Sequence, residues 1–242
     1  RKTFWRKNMK RVIFVILILT AASFSVFPQS GEKTVEEKYL STSIEIAIIT
    51  ELAAADTREQ KLVALDTIEK MVNDGKVKEG DIQLHSVLTS LSGEGTSTVV
   101  RESNRKTNYY PEVRRRAAKL LGEIGGENSK NSLIDIAMKD VEPMVLSQAV
   151  YGLGVIGLND NNEALLAISS VIDADSKKYV VDDNLAVASL LAIEKIAKKN
   201  GGFADEPDPK FIYKSIIAIQ QGNYSTNVKK WASLLIERLR QY

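Results

Sequence analysis

Few residues in this chain are of a type and spacing that supports chemistry. His85 is the only histidine among 242 residues, and cysteine is absent. A multi-histidine metal site, thiolate catalysis, cysteine-based metal binding, disulfides and a lipid-modified cysteine are thereby excluded. No nucleophile motif accompanies His85 to make it the base of a triad, so it reads as a structural, surface or half-buried histidine. Gly93-Glu94-Gly95 offers the glycines of a phosphate-cradling loop without the Lys-Ser/Thr pair or the βα setting such a loop requires. Asp173, Asp175, Asp182 and Asp183 can attract a cation. They lack the alternating oxygen ligands and central glycine of a calcium loop, and read as helix caps and loop solvation. Arg114-Arg115-Arg116 is either a solvated basic helix turn or a site for an anion or acidic peptide, and Asn223-Tyr224-Ser225 fits an N-glycosylation acceptor. No catalytic residue, metal or cofactor is expected, and the chain is expected not to be an enzyme.

Elements that bind rather than react must therefore carry the function. With 44% hydrophobic residues the chain can bury a continuous core. Its formal charge of +2 hides an asymmetry: all six charged residues in positions 1–30 are basic, leaving 27 basic against 31 acidic side chains in the remainder. A body that is net negative argues against nucleic-acid binding, which draws on clustered Lys and Arg to release counterions.

Lys10 and Arg11 precede the apolar run Val12 to Leu19, followed by the small residues Thr20, Ala21, Ala22, Ser23 and Ser25. That order is the pattern of a secretory signal peptide. Residues 1–30 are expected to be a signal peptide or an N-terminal membrane anchor, with the true start at Met9 and residues 1–8 upstream of it. The apolar stretch from Val12 to Phe27 is shorter than the roughly 20 residues a spanning helix needs, which favours cleavage over anchoring. The expected location is outside the cytoplasm, periplasmic or otherwise envelope-associated, with membrane contact only through an uncleaved N-terminal segment.

Beyond Gly31 apolar residues recur at three and four residue spacing, with almost no alternation of period two. Helices are expected over roughly 43–55, 57–73, 80–92, 112–124, 129–139, 144–156, 162–173, 184–199, 209–221 and 227–240. Thr57 and Gln60 form a capping box, and the pairs Gly125-Gly126 and Gly201-Gly202 mark stops. Residues 31–92 read as an N-terminal helical layer, 93–110 as a long loop, and 111–242 as repeats.

The repeat is visible when residues 111–125 are laid over 143–157. Pro111, Val113, Ala117, Leu121, Gly122, Ile124 and Gly125 then meet Pro143, Val145, Ala149, Leu153, Gly154, Ile156 and Gly157. Val113, Ala117, Leu121 and Ile124 share one helix face, while proline in the first turn costs no internal hydrogen bond. Small alanine allows a neighbouring helix to approach, and the closing glycines permit the fold-back. Weaker units place Leu185, Ser189, Ile193 and Ile196, then Val228, Ala232, Ile236 and Leu239, at the same positions, and a degenerate one carries Ala64, Ile68 and Met71.

This Pro-x-Val-Arg opening and Leu-Gly-x-Ile-Gly closing resembles the HEAT-repeat family, in particular the short bacterial type that also occurs in bilin lyases. The resemblance implies an all-α fold, an α-solenoid of antiparallel helix pairs. It also implies a polar ladder between adjacent units, whose members here are Arg114 and Asp140. Asn108 and Leu146 stand where the ladder calls for an Asp and an Arg. In a solenoid, residues opposite the core stripe of each second helix line up as a concave surface. Lys119, Tyr151, Leu191 and Leu234 form one such row, and Arg115, Ser147, Val187 and Lys230 a parallel one, giving a basic entrance to an aromatic and apolar strip. The expected function is a non-enzymatic scaffold or adaptor holding a protein or extended peptide in this groove. The alternative is a membrane-anchored structural component of a larger envelope assembly.

Overall fold

The computed structural model describes residues 34–203 and 210–241, so the expectations for residues 1–30 lie outside the described residues. The chain divides into two compact units, Arg1–Thr42 and Ser43–Tyr242. Helix α1 runs from Val35 to Ala54, and the described residues of the first unit are its opening turns.

The second unit is built of helices in antiparallel neighbours. They are α2 (Arg58–Asn73), α3 (Ile82–Ser92), α4 (Pro111–Ile124), α5 (Gly126–Lys139), α6 (Pro143–Ile156), α7 (Glu163–Ser176), α8 (Asp183–Asn200), α9 (Lys210–Gln221) and α10 (Thr226–Leu239). Helices α2, α4, α6, α8 and α10 pack in succession as one layer, and α3, α5, α7 and α9 as the other. The contacts α3 with α4, α5 with α6, α7 with α8 and α9 with α10 join the layers, which is the α-solenoid arrangement. No described helix is long and apolar enough to cross a membrane.

Local chemistry sets the element boundaries. Thr57 caps α2, accepting from the Gln60 N–H at 3.4 Å and donating to Gln60 Oε1 at 2.6 Å. Asp81 and Asp182 cap α3 and α8 in the same manner through the Leu84 and Leu185 N–H groups. Pro111 and Pro143 occupy the first turns of α4 and α6, and these helices end on Gly125 (φ 74°) and Gly157 (φ 67°), a region that favours glycine.

The repeat stripe is the core. Val113, Ala117, Leu121, Val145, Ala149, Leu153, Leu185, Ile193, Ala64 and Ile68 are all at most 1% exposed. Each buried Leu or Ile contributes about 1.5–3 kcal/mol relative to exposure. The last unit departs by one position: Leu235 is fully buried, while Ile236, expected in the core, is half-buried. Val228, Ala232, Leu235 and Leu239 keep a regular three and four residue spacing, which turns Ile236 toward the flank.

The segment read as a loop over 93–110 contains a small hairpin. Arg101–Glu102 pairs with Arg105–Lys106, and the turn residues Ser103 and Asn104 have φ of 46° and 66°. Two left-handed residues in succession give the turn whose twist matches that of paired strands. The segment is tied to the solenoid by a buried polar network. Lys61 Nζ donates to Glu94 Oε1 at 2.6 Å and to the Ala53 carbonyl at 2.9 Å, and Asn108 Nδ2 donates to Glu94 Oε2 at 2.9 Å.

Candidate partner-binding face

The second-helix layer presents its outer side through α4, α6, α8 and α10. Residues half a turn from the core stripe fall there because each helix buries only one face. Arg115, Lys119, Ser147, Tyr151, Val187 and Leu191 are partly exposed, Lys230 is exposed, and Leu234 is 49% exposed. The same surface carries Met144 and Val155 on α6, 49% and 41% exposed, one turn to either side of Tyr151 and Ser147. It therefore offers a run of apolar side chains on α6, α8 and α10.

Close approach within the layer depends on missing side chains. A Cβ on Gly122 would stand 2.9 Å from Gly152 Cα, and one on Gly154 would stand 2.5 Å from Ala192 Cα. These glycines let the backbones of α4, α6 and α8 touch, which draws the layer together.

The expected basic entrance is corrected by its surroundings. Lys119 donates to Glu69 and lies 3.5 Å from Glu123, and Arg116 Nη2 contacts Asp66 at 2.6 Å and Glu69 at 2.8 Å. Hydrogen bonding from Lys119 holds the Glu69 carboxyl below the usual carboxylate range, against the opposing effect of burial. The reciprocal bond raises Lys119. Arg114-Arg115-Arg116 is likewise no anion site as a unit, because Arg114 is buried and Arg116 is paired. Arg115 is the one of the three without an ion-pair partner among the described residues.

Arg114 sits at 0% exposure beneath this face. Its Nε donates to Asp140 Oδ2 at 2.6 Å, Nη2 to Asp140 Oδ1 at 3.2 Å, and Nη1 to the Glu94 carbonyl at 3.0 Å. Asp140 Oδ1 also accepts from the N–H groups of Val141 and Glu142 at 2.8 and 2.9 Å, so one carboxylate joins the inter-unit pair to the start of α6. Burial lowers the affinity of Arg114 for its proton, but the bonds and charge of Asp140, together with Tyr109, offset this and the net shift is upward. The Tyr109 ring lies 4.8 Å from the guanidinium carbon. Asn108, where the ladder calls for an aspartate, serves the Glu94 network instead.

Several residues were not singled out by the sequence. Lys195 Nζ lies 5.3 Å from the centre of the Tyr151 ring. Lys61 and Lys130 are 4% and 1% exposed, the latter pairing with Glu127 and Glu163. Their signal was position: Lys61 precedes Ala64 and Ile68, and Lys130 precedes Leu133 and Ala137, at helical spacing on the apolar face. His85 Nε2 meets Ser132 Oγ at 3.1 Å, and Ser132 Oγ meets Thr89 Oγ1 at 3.0 Å, on the opposite layer. The aspartates act inside the structure. Asp175, 2% exposed, accepts from the Asp182 N–H at 2.9 Å and the Tyr224 hydroxyl at 3.1 Å, while Asp183 accepts from the Ser225 N–H at 3.0 Å. Burial, reinforced by Asp175, pushes the Tyr224 phenol up. Among the described residues no group of three or more His, Cys, Asp or Glu is arranged to hold a metal ion.

No family model matches the chain, and no curated protein matches it. Among solved structures it is similar to the complex of CpcE and CpcF of phycocyanin lyase from Nostoc sp. PCC7120. The identity is 14% and the TM-score 0.49, over 80% of this chain and 99% of that one. That structure is of a lyase, and the expectation that this chain is not an enzyme does not stand.

Proposed function

We propose that the chain is a partner-binding α-solenoid that holds a protein or an extended peptide against the outer face of α4, α6, α8 and α10. The observation that carries this reading is the row of partly exposed Tyr151, Val187 and Leu191 with exposed Leu234, Met144 and Val155 on one side of one layer. Contiguous apolar surface on a folded chain marks an interaction site, and tyrosine is enriched at the energetic centres of interfaces. The glycine contacts among α4, α6 and α8 support placing this layer on the concave side, because closer packing in one layer bends a solenoid toward it. The basic, apolar and small-residue order of residues 10–25 supports a location at or beyond the membrane of an exporting cell.

Affinity capture from the protein's own cells, with wild type and with Tyr151→Ser and Leu191→Asp variants, tests the reading. The expected result is a stoichiometric protein partner that the variants lose while their thermal unfolding still shows a cooperative transition. Retention of every partner by both variants overturns it. Leu234→Asp, at a half-exposed site where folding is least affected, separates lost binding from lost folding.

A further inference from the structure

Charges on the proposed face are not balanced. Glu194 pairs with Arg238 at 2.8 Å, Glu123 with Lys119, and Glu112 with Arg58. Arg116 is committed to Asp66 and Glu69. What carries no ion pair among the described residues is Arg115 on α4, Lys195 and Lys198 on α8, and Lys230 on α10, against the two carboxylates of Asp183 at the start of α8 and Glu237 on α10. Lys195 and Lys198 follow Leu191 by four and seven residues, and Lys230 precedes Leu234 by four, so these cations stand beside the apolar strip. Lys195 is fixed there by its contact with the Tyr151 ring. The surplus is positive on a body in which residues 31–242 hold 27 basic and 31 acidic side chains.

We infer that the partner segment is acidic as well as apolar: an extended stretch of another protein in which Asp or Glu alternates with large hydrophobic side chains. This rests on the binding role proposed above and adds the chemistry of what is bound. Apolar side chains of the segment meet Tyr151, Leu191 and Leu234, while its carboxylates meet Lys195, Lys198 and Lys230. Crossing from α4 to α10 takes three helix-to-helix steps of about 8–10 Å each, or roughly 24–30 Å. An extended chain rising about 3.3 Å per residue covers that in about eight or nine residues. Complementary charge sets which partner is accepted and how fast it arrives, and the buried apolar contacts hold it.

A display library of random peptides of about ten residues, selected on the 242-residue chain, tests the inference with defined probes. Selected peptides are expected to be enriched in Asp and Glu interspersed with large apolar residues. They are expected to lose about tenfold or more in affinity against a Lys195→Glu, Lys198→Glu, Lys230→Glu triple variant, and to bind more weakly as salt is added. All three lysines are exposed, so the variant is expected to keep a single cooperative thermal transition. Selected peptides that are basic or neutral, yet lost on Leu191→Asp, overturn the acidic segment and leave the face as a binding site. Peptides indifferent to both variants, or no peptides recovered, overturn the segment and the face together.

Discussion

Replacing Arg114 by alanine tests how the insert, the ladder and the start of α6 are held together. The arginine is 0% exposed and its partner Asp140 has a side-chain exposure of 2%. In Arg114→Ala, Asp140 Oδ1 keeps the Val141 and Glu142 N–H groups, but Oδ2 loses its donor at 2.6 Å and the carboxylate loses its one counter-charge among the described residues. The Glu94 carbonyl loses a donor as well. Breaking a buried pair by removing one partner costs about 3–5 kcal/mol, because the remaining charge stays buried without compensation. Urea unfolding followed by circular dichroism, compared at equal dependence on denaturant, gives the loss directly. Arg114→Met combined with Asp140→Asn removes both charges, and the double variant is expected to be more stable than the sum of the single losses by at least about 1 kcal/mol. A loss below about 1 kcal/mol for Arg114→Ala, or strict additivity of the pair, refutes the argument that this ion pair locks adjacent units.

Two further outcomes follow from packing and charge. Gly154→Ala places a Cβ 2.5 Å from Ala192 Cα, and because the obstacle is backbone, a loss at or above the usual ~1–3 kcal/mol of overpacking is expected in thermal or urea unfolding; a neutral result removes the close α6 to α8 contact. Glu69 has a folded pKa below its ordinary value, so its pairing with Lys119 and Arg116 stabilises the protein above the unfolded carboxylate range and is lost as pH falls through the lowered folded value. Unfolding measured across the acid range for wild type and Glu69→Gln should therefore show curves that separate at neutral pH and converge toward acid, and parallel curves would contradict the assignment.

The sequence by itself determined the all-α class, the succession of helices and the repeat unit. Helical periodicity, Pro111 and Pro143 at helix starts and Gly125 and Gly157 at stops are local signals, readable without knowing what each helix meets. It also set Tyr151, Leu191 and Leu234 off the core stripe, where they are partly or largely exposed, Tyr151 while still packing against the core's edge. The tertiary structure decided what depends on neighbours distant in the chain. Lys119 looked like a free cation until α2 brought Glu69 to it, fifty positions earlier in sequence. The segment 93–110 looked like an open loop because its order comes from Lys61, Glu94 and Asn108, which are scattered through the sequence and pair only when α2 and the insert are packed. Lys195 acquires its place beside Tyr151 in the same way, from the stacking of α6 on α8. Periodicity fixes which face a side chain occupies; whether a charge there is neutralised is a Coulombic matter of a few ångströms, and only the packed helices set that distance.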